Sequence, residues 1–161
     1  MVEAFTKDPR LLKVKDFVIS DEFEIIDAND DIRGAIRTLL SMTCGVLLVK
    51  DGKEIQGVVT ERKILKKLIE AKDPMSLKVK DIMDSKVLKI SYGEKLPSAV
   101  ERIANEKPSA VIVVNKEGEF KGYFSPMDYL QAERMLKEAK KRGKVEEPAE
   151  EEGAGEKEEP K

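Results

Sequence analysis

Val14-Lys15-Asp16-Phe17 returns as Val79-Lys80-Asp81-Ile82, and Gly57-Val58-Val59-Thr60 returns as Gly122-Tyr123-Phe124-Ser125, both at an offset of 65 residues. Between these anchors Ile32, Ala35, Ile36, Leu39 and Leu40 are matched by Leu96, Ala99, Val100, Ile103 and Ala104 at an offset of 64, so a single residue of register shifts and is restored within the unit. Repetition at a fixed period means that each copy packs against the other because it cannot bury its apolar face alone. Two copies therefore predict one pseudo-symmetric body with a seam between its halves.

The first copy reads as a strand over Phe23 to Ile26, an amphipathic helix from Ile32 to Ser41 capped by the polar run Asp27 to Asp31, and a strand pair Val46 to Val49 and Ile55 to Val59 around the turn dipeptide Asp51-Gly52. A second helix, Glu61 to Ala71, alternates Ile64-Leu65 and Leu68-Ile69 with Arg62-Lys63 and Lys66-Lys67, a helical period, and Asp73-Pro74 stops it. The second copy repeats the order: strand Val87 to Ile90, helix from Leu96, strands Ala110 to Val114 and Phe120 to Phe124, helix from Pro126. The fold class is α+β, a β-α-β-β-α unit used twice. Four or five short apolar strands backed by helices on one side form a layer, and two such layers meet along their sheets. A cleft at that seam is the natural ligand site.

Composition fits one compact core, with 161 residues and 40% apolar content. The 39% charged content, with only five Asn plus Gln, resembles the bias of proteins from hot environments. The single cysteine, Cys44, precedes an apolar run, which predicts a buried thiol in a reducing, cytoplasmic setting. No signal peptide or membrane-spanning run is expected. From Gly143 onward the chain is rich in Glu, Lys, Pro, Gly and Ala, and an acidic, disordered tail is expected over 143–161. It carries a net charge of −5, so the preceding body carries +3.

The chain has no histidine, which removes Ser-His-Asp and Cys-His catalysis and the usual zinc sets, so no enzyme activity and no metal are expected. Gly52 to Gly57 has phosphate-loop spacing but continues as Val58-Val59 inside a hairpin, and Asp27 to Asp31 lacks the glycine and the twelfth-position acid of a calcium loop.

The doubled unit, each copy closed by a Gly-hydrophobic-hydrophobic-Thr/Ser motif and the second running on as Gly122-Tyr123-Phe124-Ser125-Pro126-Met127-Asp128, resembles a tandem pair of CBS domains, a Bateman module. The resemblance covers repeats at 11–72 and 77–138. It implies a regulatory module that senses AMP, ADP, ATP or S-adenosylmethionine in the cleft between the copies, forms homodimers, and needs no cofactor beyond that adenosine-type ligand. It carries the ribose-binding role onto Ser125 and Asp128 and places Ile19, Phe23, Thr43 and Val46 around the adenine, with Tyr123 nearby. The same Ser125-Pro126-x-Asp128 spacing equally suits a helix cap. The first copy departs from the motif, because Lys63 stands where the ribose-binding Asp belongs and a cation accepts no hydrogen bond.

Two other classes of function stay open on the residues. The basic stripe Arg62, Lys63, Lys66, Lys67 and the cluster Lys137, Lys140, Lys141, Arg142 could meet nucleic acid, although such helix faces are usually solvated. The long last helix and tail could instead dock on a protein target encoded elsewhere.

Overall fold

The computed structural model describes residues 8–158, with side-chain surroundings through residue 143. Its elements are β1 Phe23–Asp27, α1 Ile32–Leu40, β2 Val46–Asp51, β3 Glu54–Val59, α2 Glu61–Glu70, the short α3 Val79–Ile82, β4 Val87–Ser91, α4 Leu96–Glu106, β5 Ala110–Val114, β6 Phe120–Phe124 and α5 Pro126–Glu158. Of the tail expected to be disordered, 143–161, residues 143–158 continue α5, while the side chains beyond Gly143 and the whole of 159–161 lie outside the described residues.

Each half forms one three-stranded sheet, ordered β1-β2-β3 and β4-β5-β6. The first pair of strands is parallel and the second antiparallel in both sheets. Three strands replace the four or five expected, because the remaining extended segment of each copy pairs only through isolated bridges to the other half, Lys13 with Lys95 in one direction and Lys78 with Asp31 and Asp84 with Val58 in the other.

The central strands show how the sequence sets the layers. Successive side chains in a strand point to opposite faces. Leu47 and Val49 of β2 therefore enter a core under α1 and α2, while Leu48 turns to the seam. Val111 and Val113 of β5 likewise enter the core under α4 and α5, while Ala110 and Ile112 turn to the seam. The seam is completed by Ile55, Val58 and Tyr123, with Phe23 and Phe120 edge to face at 5.4 Å between ring centroids. Strands buried on both faces account for the unbroken apolar runs in the sequence.

The opening motif of each copy serves the other copy. Leu12, Val14, Phe17 and Ile19 lie in the core of the second half with Leu88, Ile90, Leu96 and Phe124. Val79 and Ile82 lie in the core of the first half with Ile26, Ile32 and Val59. Main-chain bonds fix both arms: Val14 N–H donates to Glu94 O at 3.0 Å and Lys15 N–H to Tyr92 O at 3.1 Å, while Val79 N–H donates to Asp30 O at 2.8 Å and Lys80 N–H to Ala28 O at 2.9 Å. The arms end in matching contacts. Tyr123 N–H donates to Ile19 O at 2.8 Å, and Val58 and Asp84 exchange two main-chain bonds of 2.9 Å.

The glycine opening each closing motif permits this approach. A Cβ on Gly122 would lie 2.6 Å from Ile19 Cγ1 and closer still to the Ile19 carbonyl oxygen; on Gly57 it would lie 2.6 Å from Met83 Sδ and 2.9 Å from Asp84 O. Such separations are not tolerated by real side chains, so both positions need glycine for space.

Cys44 corrects the sequence reading, because its side chain is exposed. The strand begins only at Val46 and full burial only at Leu47, so the apolar run starts after the cysteine and Thr43 to Gly45 stay in the loop.

Candidate functional site

The second half-site forms where β6 gives way to α5. Ser125 Oγ accepts the Asp128 N–H at 3.1 Å, and Asp128 Oδ2 accepts the Ser125 N–H at 3.0 Å. This reciprocal arrangement is a capping box, so the helix-cap reading of the spacing is realised in full. Its setting is unusual, because Ser125 is 2% and Asp128 4% exposed, and they are the buried polar residues among those described. Burial pushes the Asp128 carboxyl above its ordinary value, against the two bonds from Ser125 that draw it down, and the Glu22 charge pushes it the same way as burial.

Residues far apart in the chain converge here. Tyr123, held through its amide to Ile19, points into the seam, with its ring 6.2 Å from that of Phe23 between centroids. Burial first, then the charges of Glu22 and Asp128, push its phenol up to about 12, so it is a neutral donor at physiological pH. Phe23 is the register partner of Val46, whose N–H donates to Glu22 O at 3.1 Å. Of the residues carried over from the resemblance, Ile19, Phe23, Val46, Tyr123, Ser125 and Asp128 thus lie in linked surroundings. Thr43 is exposed in the loop before β2 and is tied to them only through Val46. A small cavity of about 140 Å³ adjoins the cap and is lined by Ile103, Pro108, Ser109, Tyr123, Ser125 and Tyr129.

Glu22 was not singled out by sequence. It has a left-handed backbone (φ 64°) just before β1, and its charge acts on residues a hundred positions away. A signal exists: the equivalent residue at an offset of 64 is Lys86, so the copies differ in sign there.

The first half-site has the same frame with other side chains. Thr60 caps α2, its Oγ1 accepting the Lys63 N–H at 3.2 Å. Lys63 cannot return a bond to the cap, so the box is half made. Beside it stands Asp84, carried in by the exchanged arm, whose Oδ1 accepts the Lys86 N–H at 3.0 Å. A hydrogen bond from the Ser109 side chain is the chief cause holding its carboxyl below the ordinary aspartate value, followed by the Lys86 amide, with the Lys63 and Lys86 charges adding to it. Among the described residues, no group of His, Cys, Asp and Glu could hold a metal ion, and no helix is long and apolar enough to cross a membrane.

Two halves with exchanged arms, sheets joined face to face and a capped helix start at each strand end define a tandem two-repeat module of the α+β class. The CBS domain family matches the chain twice, at residues 14–70 and 79–134, and the chain belongs to that family. None of the curated proteins matches the sequence. Similar solved structures include the CBS domain of the bacterial CNNM/CorC family Mg2+ transporter in complex with ATP, with a TM-score of 0.66 at 16% identity over 78% of this chain and 89% of that one. An uncharacterized conserved protein from Pyrococcus horikoshii gives a TM-score of 0.62 at 20% identity, over 78% and 94%. CBSX2 in complex with AMP gives 0.60 at 20% identity, over 78% and 98%. At these identities the likeness is one of fold.

Proposed function

We propose that this chain is a regulatory module that binds one adenosine-containing ligand at its second half-site, without catalysis. The observation that carries the reading is the buried Ser125–Asp128 pair beside Tyr123 and Ile19 at the seam. A carboxylate has about four lone-pair positions and, when ionised, accepts strongly from the two hydroxyls of a vicinal diol. Ile19, Phe23, Val46 and Tyr123 supply apolar and aromatic surface for the base, with Thr43 at the rim. The AMP and ATP complexes of the structurally similar proteins support an adenine nucleotide.

The ligand acts through the seam on a second copy of the chain. Leu40, Leu65 and Ile69 are 80%, 54% and 85% exposed on the outer face of α1 and α2. Leu40 and Leu65 border an apolar groove of about 330 Å³. An apolar patch of this kind on a soluble body marks an interaction surface.

Titration calorimetry of AMP, ATP and S-adenosylmethionine against the protein and its Asp128→Ala variant tests the reading. The expected result is about one ligand per chain, weakened by roughly 1.5 to 3 kcal/mol when the charged acceptor is removed. If none of the three binds, the pair is a helix cap alone.

A further inference from the structure

The pseudo-symmetry that relates the two halves does not extend to their outer helices. On α1 and α2 of the first half, Arg33, Arg37, Arg62 and Lys66 are exposed. Each stands three positions before an apolar residue of the groove or its edge, as Arg37 does before Leu40 and Arg62 before Leu65. Residues three apart are neighbours on a helix surface, so the four cations rim the apolar groove between α1 and α2. At the repeat-equivalent positions α4 and α5 carry Pro97, Glu101, Met127 and Gln131, and Leu40 and Ile69 become Ala104 and Arg134. Of the two equivalent faces, only the first combines an apolar groove with a basic rim.

That rim is short of acids. Among the described residues Arg33, Arg37 and Arg62 make no ion pair, and Lys66 has Glu70 at 4.0 Å. α1 carries two arginines and no acid, and α2 four basic residues against two acids, so the two helices have a net charge of +4. Two such faces laid on each other would repel, which argues against groove-to-groove contact between copies. The segment of this chain that complements the face is the end of α5. Lys144 to Glu158 holds seven Glu against two Lys, a net charge of −5, and Val145 and Ala149 fall four apart, on one face of a helix. An acidic helix with small apolar residues on one face suits an apolar groove with a basic rim. α5 packs on the second half, where Ala132 is fully buried, and beyond Gly143 it continues as the same helix for about 22 Å at 1.5 Å per residue. A helix that runs on from the second half does not turn back onto the first half of its own chain.

We propose that the acidic end of α5, Lys144 to Glu158, docks in the α1–α2 groove of a second copy, and that the exchange is reciprocal. Each copy gives one acidic helix and takes one, a closed two-fold arrangement that leaves no face for a third copy. The four basic residues meet the glutamates at the rim, and Leu40, Leu65 and Ile69 lose water beneath the helix. The same helix starts at the buried Ser125–Asp128 pair, so the ligand seat and the dimer contact lie at two ends of one element. The proposal rests on the second-copy reading and names the part of the partner that fills the groove. It does not rest on the adenosine reading.

Sedimentation equilibrium of the full chain tests it with two charge-reversed variants. Arg37→Glu/Arg62→Glu/Lys66→Glu reverses the rim, and Glu147→Lys/Glu150→Lys/Glu151→Lys/Glu152→Lys reverses the end of α5. Wild type is expected to form dimers whose association weakens at least tenfold between roughly 0.1 and 1 M salt, because charge holds the contact. Each variant alone should associate at least roughly tenfold more weakly than wild type. An equimolar mixture of the two should recover dimers, since each then carries the charge that its partner lacks. The α5 variant alters no residue of either core and carries the test if the rim variant does not fold. Dimers of the α5 variant alone as tight as wild type, or a mixture that stays monomeric, would overturn the proposal while leaving the second copy in place. A wild type that stays monomeric at every concentration would remove both. Titrations with AMP, ATP and S-adenosylmethionine are independent of these outcomes, so the adenosine reading fails separately.

Discussion

The cap that Asp128 forms and the ribose contact proposed for it pull on its protonation in opposite directions. As a helix cap it needs only an oxygen for the Ser125 amide, but in the proposed ribose role it needs the charge. Its folded-state pKa is raised, chiefly by desolvation, so the contribution of this group to stability is present below the unfolded value and is lost as pH rises through the folded one. At neutral pH the buried charge is a cost. Asp128→Asn keeps the capping oxygen and removes that cost, so the variant is expected to unfold at no lower urea concentration than wild type while binding adenosine ligand less well. Ligand affinity should fall as the pH is lowered through a window that lies above the ordinary aspartate value of 3.8, and Asp128→Asn should flatten that profile. Calorimetry across the acid range, with Glu22 replaced by Gln in a parallel series, separates the Asp128 contribution from its neighbour's. The cap was legible in the sequence because Ser, Pro and Asp fall at the N-cap, N1 and N3 positions of a helix, a purely local pattern. Glu22 was not, because its partners come from the other half of the chain. Cys44 was misjudged for a local reason: an apolar run does not show which of its first residues enters the strand.

Among the elements, the arms are the part that sequence could not place. The offset of 65 announces two copies and their boundaries, yet exchanging both arms leaves every spacing unchanged, so the repeat is silent about which arm serves which sheet. The glycines carry the missing information. Each opens a closing motif, and each lies against the arm of the opposite copy. Gly122→Ala would drive a methyl group into the Ile19 backbone, which cannot move without breaking the Tyr123 bond, and should cost about 2 to 3 kcal/mol. Gly57→Ala meets first the Met83 thioether, the end of a flexible side chain, and should cost less than Gly122→Ala, although the Asp84 carbonyl still crowds it. Urea unfolding midpoints of the two variants give the comparison, and an equal or reversed order would show that the first arm, at Ile19, is not held more rigidly than the second, at Met83 and Asp84.

For the molecule as a whole, neither core is complete within its own stretch of sequence. A fragment starting at residue 77 lacks Leu12, Val14, Phe17 and Ile19, all within the core of the second half, including the Phe17 ring packed edge-on against Phe124 at 5.2 Å. That fragment is expected to show no cooperative unfolding transition by circular dichroism, whereas the intact chain should unfold in one step. Two transitions in the intact chain, or a folded fragment, would mean that the arms are accessory. The same interlocking bears on how the two halves are free to differ. Were each half a separate chain meeting an identical twin, one gene would write both seats, and an acid placed in one would appear in the other. Written in tandem, the seats are independent text. One carries an acid where the motif closes, and the other carries a lysine there.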